Sequence, residues 1–371
     1  MLWLSQQRLC LRTLLGHEAE ETHKPGPSLL RDPRMEPARW KRIDLPSSPT
    51  RVGLNRMEIT MSTMKAVCIH SFGGPEVLKV ESIERPTPQA DEVLIKVHAA
   101  SVNPVDYKIR SGGYPAVKKQ QLPKVLGRDV SGTIEECGRA VQNMQEGDEV
   151  YAMLDGGPGG YAEYVAVKAN LCAPKPKQLD YTAAAAVPLA ALTAWQGLFD
   201  HGHLLAGQRV LIHGGAGGVG HFAIQFAKAS GATVCTTVSA EDEAFVRSLG
   251  ADEVVDYKSE RFEQKVHDVD LVFDLVAGDT QERSWAVLKD GGTLISTLAK
   301  PSEARAREHH ARAAHYMAHP DGTELKEIGT LIDSGKVKPH IDATYPLERA
   351  AEAQQRIEGQ HTQGKVVLQV S

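Results

Sequence analysis

From Met64 onward, apolar and polar residues alternate in short runs. MKAVCI (64–69), VLKVESI (77–83) and EVLIKVHAASV (92–102) read as strands rich in Val and Ile, divided by Phe72-Gly73-Gly74-Pro75 and by Pro86-Thr87-Pro88. SGTIEECG, DEVYAML and AEYVAVKA continue the pattern with glycines between them. Short strands at near-regular spacing predict a mostly-β, barrel-like domain from about Met64 to Lys177. The period changes after Asp180. YTAAAAVPLAALTAWQGLF is helical, with Pro188 interrupting it. Strands then alternate with helices: RVLIH (209–213), TVCTTV (233–238), VVD (254–256), DLVFDLV (270–276) and TLISTL (293–298), with helices near 219–229, 241–249, 259–267 and 280–288. Such alternation predicts a parallel sheet covered by helices. The segment holding His309, His310, His315 and His319 reads as helical, which would put His315 and His319 on one face. Beyond Pro320 follow the helix GTELKEIGTLIDSG, the run HIDATYPL, a helix from Glu348 to Glu358 and the strand KVVLQV.

One unit of this pattern carries chemistry. The strand Arg209 to His213 feeds Gly215-Ala216-Gly217-Gly218-Val219-Gly220. A helix follows with Val219, Phe222, Ala223, Phe226 and Ala227 in one buried stripe. Gly231 stops it, and the strand Thr233 to Val238 completes a dinucleotide-binding fingerprint. In this reading Gly215 permits the tight turn, Gly217 lets the backbone approach a pyrophosphate, and Gly220 lets the helix pack on the strand. The helix N-terminus favours the anion. No carboxylate stands at the tip of the second strand, Thr236-Thr237-Val238-Ser239, so NADP is favoured over NAD. The hydroxyls of Thr237 and Ser239 are then candidate phosphate contacts, and Ser239 is equally placed to cap the helix from Glu241.

Composition narrows the classes. The chain has 371 residues, enough for two domains, and a net charge of −5. It offers no basic field for nucleic acid, and no apolar run long enough to span a membrane. Five scattered cysteines without a C-x-x-C pair argue against a disulfide scaffold or a zinc knuckle, and for the cytoplasm. Residues 1–56 are rich in Arg, Pro and Ser without apolar period. They read as a disordered extension rather than a targeting peptide, given Glu18, Glu20 and Glu21, with Met57, Met61 and Met64 as alternative starts.

Several strings in order resemble the medium-chain dehydrogenase/reductase superfamily, in its zinc-free quinone oxidoreductase (zeta-crystallin-like) branch. They are MKAVCIHSFGGPEVLKV, DEVLIKVHAASVNPVDYKIRSG, PKVLGRDVSGTIEECG, AAAAVPLAALTAW, VLIHGGAGGVGHFAIQFAK, SLGADEVVDY, DLVFDLVAG and GKVVL. The resemblance spans Met64 to Ser371. It implies an α/β fold: a GroES-like β-rich domain (64–185 and 320–371) interrupted by a Rossmann doubly wound parallel sheet (186–319), and a homodimer through the Rossmann sheet edge. Zinc-dependent members hold a catalytic metal by Cys, by a His-Glu pair and by a later Cys. Here those places read Asn103, Gly127-Arg128-Asp129 and about Leu189, so no catalytic metal is expected, and Arg128 and Asp129 read as an internal ion pair. The histidine-rich segment lacks a recognised ligand spacing.

Without a Lewis acid, the chemistry left is hydride transfer to an electrophilic carbon of a quinone or α,β-unsaturated carbonyl. Candidate catalytic residues are Asn103, Tyr107 and Lys108, with Asp106 beside them. Related quinone reductases carry a Tyr where this chain has Lys108. Thr193, Val276 and Ala277, with the segment after Leu298, join the glycine turn as cofactor-binding candidates. Two alternatives stand: a 2-enoyl thioester reductase, with Lys118 and Lys119 as basic entry, and a non-catalytic NADPH-binding protein of crystallin type.

Overall fold

The computed structural model describes residues 62–359 and 361–371. The expectations for residues 1–56, and for Met57 and Met61 as starts, lie outside the described residues. The first half runs β1 (Thr63–Ile69), β2 (Lys79–Glu84), β3 (Glu92–Val102), α1 (Pro104–Arg110), β4 (Lys124–Val125), β5 (Asp129–Cys137), β6 (Glu149–Met153), β7 (Tyr164–Lys168) and β8 (Cys172–Pro174). Then come α2 (Tyr181–Ala185), α3 (Pro188–Trp195), β9 (Arg209–His213), α4 (Gly220–Ala229), β10 (Thr233–Val238), α5 (Glu243–Ser248), β11 (Glu253–Asp256) and β12 (Val269–Asp274). The chain closes with α6 (Asp279–Ser284), β13 (Leu288–Ser296), α7 (Glu303–Glu308), β14 (Arg312–His315), α8 (Gly322–Asp333), β15 (Ile341–Pro346), α9 (Ala350–Gly359) and β16 (Lys365–Gln369).

A six-stranded sheet in the order β11-β10-β9-β12-β13-β14 is parallel throughout. This is the Rossmann order, with its reversal between β9 and β12. A seven-stranded sheet in the order β15-β16-β3-β5-β6-β8, with β7 also on β3, forms the GroES-like domain. The C-terminal β16 enters that sheet antiparallel to β3, pairing Val366 with Val102. A three-stranded sheet, β2-β1-β4, flanks it. The alternating strands bury one continuous core that includes Val93, Ile95, Val97, Ile134, Val150 and Val165. Arg110, 2% exposed, ties α1 to α9 through Gln354 (2.9 Å) and Glu358 (2.8 Å).

The helix stripe after the glycine turn packs as its spacing predicts: Phe222, Ala223, Phe226 and Ala227 are all buried. Phe226 meets Trp195 of α3 edge-on at 5.4 Å and stacks on Phe222 at 6.0 Å. Pro188 starts α3 rather than breaking a longer helix, and α3 runs on into a π-helical turn at Gln196–His201.

Two expected helices differ. Over 259–267 only a 3-10 turn, Phe262–Gln264, forms. Asp256 accepts from Lys258 N and Ser259 Oγ, which commits the backbone to a turn, and buried Phe262 and Val266 anchor the connection, Phe262 against His213. The histidine-rich segment is not one helix. α7 ends at Glu308, His310 takes a φ of 49°, and Arg312–His315 pairs as an edge strand with β13. His315 and His319 therefore share no helix face. Among the described residues no helix is long and apolar enough to cross a membrane.

Phe226→Ala should lower unfolding free energy by about 3–5 kcal/mol, because the space between α3 and α4 cannot close over the lost ring. Denaturant unfolding checks this: a midpoint within error of the parent would contradict the packing described.

Candidate active site

The reversal of strand order leaves a crevice beyond the carboxyl ends of β9 and β12. The glycine turn lies there, and Thr237 O, on the neighbouring strand, accepts from both Gly214 N (3.1 Å) and Gly215 N (3.3 Å). The tight bend falls at Gly214, with φ +74°, and not at Gly215 as the sequence suggested. Gly215 is needed for close approach instead: a Cβ there would stand 2.1 Å from Thr236 Oγ1. A Cβ on Gly220 would stand 2.2 Å from Gly214 O, so α4 does pack against its own incoming turn. A Cβ on Gly217 would meet only Gly214 O at 3.5 Å, leaving that backbone face open. His221 braces the turn. Its Nδ1–H donates to Gly217 O (3.1 Å) and its Nε2 accepts from His340 N (3.3 Å), which defines one neutral tautomer. Burial pushes its pKa down to about 3, against the pull of the Gly217 carbonyl.

A cleft of about 230 Å³ opens between this turn and the β-rich domain. Asn103, Leu189, Gly217, Gly218, Leu298 and Lys365 are among its walls. A larger groove of about 850 Å³ lies on the outer surface of the β-rich domain, past Gln142 and Lys326, remote from the glycine turn.

The polar wall of the cleft follows from strand register. Ser101 and Asn103 project two residues apart from the end of β3, and Ser101 pairs with Asp129 at the start of β5. The Asp129 carboxylate, fully buried, accepts from Ser101 Oγ (2.5 Å), Asn103 Nδ2 (2.8 Å) and Leu189 N (2.7 Å). Lys365 at the start of β16 brings its ammonium to Asn103 Oδ1 and to within 3.7 Å of Asp129 Oδ2. Burial lowers the Lys365 pKa, opposed by the charges of Asp129 and Asp106. Asp106, at the third position of α1, accepts from Asn103 N (2.8 Å) and Tyr161 OH (3.0 Å). Its Oδ1 is buried with no hydrogen-bond partner. Burial raises its pKa to about 6, outweighing the two hydrogen bonds and the Lys365 charge.

The other expected residues are placed as follows. Tyr107 is half-buried and Lys108 exposed on the outer turns of α1, and neither lines the cleft. Thr193 is buried within α3, its Oγ1 donating to Leu189 O (2.6 Å). Asp274 ends β12 by accepting from Val276 N (3.0 Å) and Ala277 N (2.8 Å). That turn lays Val276 beside Gly214, and Ala277 takes a φ of 67°. Thr237 Oγ1 bonds His213 Nδ1 (2.9 Å), and Ser239 Oγ donates to Asp242 (2.8 Å), so Ser239 does not cap through its side chain. Ala216, Gly218 and Val219 complete the turn. Arg128 and Asp129 form no ion pair. Arg128 Nε donates to Leu154 O (2.8 Å), because adjacent strand residues point to opposite faces.

Comparison with known proteins agrees with this architecture. Residues 89–177 match the alcohol dehydrogenase GroES-like domain family, and residues 249–368 match a family described as zinc-binding dehydrogenase. The chain is 40% identical to the NADPH-dependent alkenal/one oxidoreductase, chloroplastic, of Arabidopsis thaliana, over 82% of this chain and 79% of that protein. It is 37% identical to the mouse (Mus musculus) NAD(P)H oxidoreductase RTN4IP1, mitochondrial, over 89% and 95%. A solved quinone oxidoreductase from Coxiella burnetii superposes with a TM-score of 0.79 at 38% identity, covering 84% of this chain and all of that one. The chain belongs to the medium-chain dehydrogenase/reductase superfamily, in its quinone oxidoreductase branch.

Members of this branch are NAD(P)H-dependent oxidoreductases, and the cradle at Gly214 to Gly220 fits a nicotinamide dinucleotide. Zinc does not fit. The places of the zinc-dependent members' ligands hold an amide (Asn103), a guanidinium bonded to Leu154 O (Arg128), a carboxylate already met by three donors (Asp129) and an aliphatic side chain (Leu189), with the Lys365 ammonium beside Asn103 and Asp129. Among the described residues, His319, Asp321 and Glu324 bring ligand atoms within 4.8 Å of one another, but they stand at the start of α8, outside the cleft. Sequence reasoning named Asp106 but missed Lys365 and His221. Their partners lie across the fold, and only the position of Lys365 next to Gly364 at a strand start hinted at a role.

The raised pKa of Asp106 fixes the sign of a pH effect. A carboxyl protonated more readily in the folded chain stabilises it below the unfolded pKa, and that stability is lost as pH rises through about 6. The parent should lose on the order of 3 kcal/mol from this group between pH 4 and 7. Asp106→Asn, which keeps an acceptor for Asn103 N and Tyr161 OH, should remove that fall. Parallel slopes of stability against pH in the two proteins would contradict it.

Proposed function

We propose that this chain reduces quinones or α,β-unsaturated carbonyls with NADPH and without catalytic zinc. The supporting observation is the pairing of a glycine cradle with a small cleft whose polar wall includes Asn103 and Lys365, with no cysteine or histidine among the described residues that line it. Such acceptors are already electrophilic, so they need positioning and charge stabilisation rather than a metal. When bound, the dihydronicotinamide supplies the hydride. The turn Gly215 to Gly220, Val276 and Ala277 would hold it. Leu189, Leu298 and Val102 narrow the cleft and keep water from the reacting face.

The NADPH reading rests on the tip of β10. Thr237 and Ser239 are there, and β11 ends alongside, with Tyr257 N bonded to Val238 O. Exposed Lys258 is thus brought next to the tip from a neighbouring strand, which supplies the cation missing from the local sequence. The nearby carboxylates are already engaged, Asp242 by Ser239, His361 and Gln363, and Asp256 by Ser259 and Lys258 N. The Arabidopsis relative carries NADPH in its name. Nothing favours the thioester reading, since Lys118 and Lys119 are exposed and line no part of the cleft.

β14 is one of the two outer strands of the Rossmann sheet, and Met317 just after it is 63% exposed. This supports a homodimer joined along that edge, and light scattering on the purified chain should give twice the chain mass. Buried free cysteines Cys68, Cys172 and Cys235 suit the reducing cytoplasm. The mouse relative is named mitochondrial, so imaging of a tagged full-length chain decides the compartment.

A panel of simple quinones and enones, run with NADPH and NADH in parallel, tests the function. Turnover should be seen with acceptors of both classes, with kcat/KM at least about tenfold higher for NADPH, the worth of one phosphate–cation contact. Dialysis against a chelator should leave the rate unchanged. Tight NADPH binding without turnover of any acceptor would sink the enzyme reading.

A further inference from the structure

Among the described residues, Lys365 is the only ionisable side chain that lines the cleft. It is 4% exposed, and its ammonium is held by one close contact and two long ones. Of its three N–H groups, one meets Asn103 Oδ1 closely. The remaining neighbours, Val102 O at 3.5 Å and Asp129 Oδ2 at 3.7 Å, are long for hydrogen bonds. A buried ammonium with spare donors is costly unless something in the cavity accepts from it. Asn103, by contrast, is held from three sides. Its amide donates to Asp129, its carbonyl accepts from Lys365, and its backbone N–H is held by Asp106. The aliphatic stem of Lys365 passes under Gly218, where a Cβ would lie 3.1 Å from its Cδ, and carries the charge past the glycine turn to the Asn103 and Leu189 end of the cleft.

We propose that the Lys365 ammonium hydrogen-bonds the carbonyl oxygen of the acceptor and stabilises the negative charge that gathers there during reduction. This rests on the reductase reading above. As hydride from the bound cofactor adds to the conjugated carbon, the electron pair it displaces moves onto that oxygen. Lys365 holds the charge with an N–H pointed into a water-poor cleft, and a solvent proton completes the two-electron reduction. The lysine keeps its own proton. Asn103 acts as a positioning residue, fixing the ammonium through Oδ1.

The test uses the full chain with Lys365→Met and Lys365→Arg. Cofactor affinity is read by quenching of nucleotide fluorescence, and kcat and KM are read with an enone and a quinone. Lys365→Met should lower kcat for the enone by about 100-fold, as loss of one oxyanion donor does. The loss should be smaller for the quinone, whose reduced oxygen is a weaker base, and NADPH Kd should stay within about threefold. Lys365→Arg, which keeps the charge, should recover part of the enone rate. Lys365→Met leaves Asp129 buried without its cation, so Lys365→Met/Asp129→Asn, which removes both charges, replaces it if the single variant does not fold. An unchanged kcat, an equal loss on both acceptors, or a loss of cofactor affinity that matches the loss in kcat/KM would overturn the proposal; the last would assign the cation to the cofactor. A parent that turns over no acceptor removes the reductase reading and this inference together, whereas an active parent with an equally active Lys365→Met removes the inference alone.

Discussion

The Asp129 carboxylate accepts from Ser101, Asn103 and the Leu189 amide and faces the Lys365 ammonium, and so it gathers β3, β5, α3 and β16 at one point. Leu189 and Lys365 are 60 and 236 residues downstream in the chain. A carboxylate removed from water must find donors in the fold, and the donors it found belong to segments on both sides of the Rossmann insertion. The cleft wall is thus rigid because a charge cannot be left alone. Asp106, one helical turn past Asn103, shows the opposite outcome: one of its oxygens finds no partner, and the proton is held more tightly instead.

What the sequence made legible was governed by local rules. The stripe Val219 to Ala227 and the strand before it are set by period and by the steric needs of a tight turn, which act over a few residues. The same holds for the alternating strands of the β-rich domain and for Pro188 at a helix start. Boundaries set by side-chain bonding to the backbone were harder. β12 stops at Asp274 because its carboxylate caps the amides of Val276 and Ala277, and the 259–267 helix fails because Asp256 and Ser259 hold a turn. β14 was hidden because Ala-rich segments with interspersed Arg satisfy a helix as well as an edge strand, and only the neighbouring β13 decides.

The site divided in the same way. Asn103 and the glycine turn were readable because they sit at element ends with distinctive composition. Lys365 was not, since a lysine before a hydrophobic strand is most often a solvated surface charge, and its burial depends on Asn103 standing opposite in β16–β3 register. Tyr107 and Lys108 looked equivalent to Asn103 in sequence, but the first turn of α1 carries them outward. The fate of Arg128 and Asp129 was decided by the pleat, which sends neighbours to opposite faces.

The five residues from His361 to Lys365 touch three places in turn. His361 and Gln363 hold Asp242 beyond the second Rossmann strand (2.5 and 2.8 Å), Gly364 N donates to Ala216 O in the glycine turn (2.8 Å), and Lys365 reaches Asn103. One short tether therefore spans the cleft from its outer end to its inner end. A ligand that favours one placement of the tether at one end would favour that placement for a ligand at the other. Two occupants of such a cleft are thermodynamically linked, and whatever affinity the first lends the second is returned in equal measure.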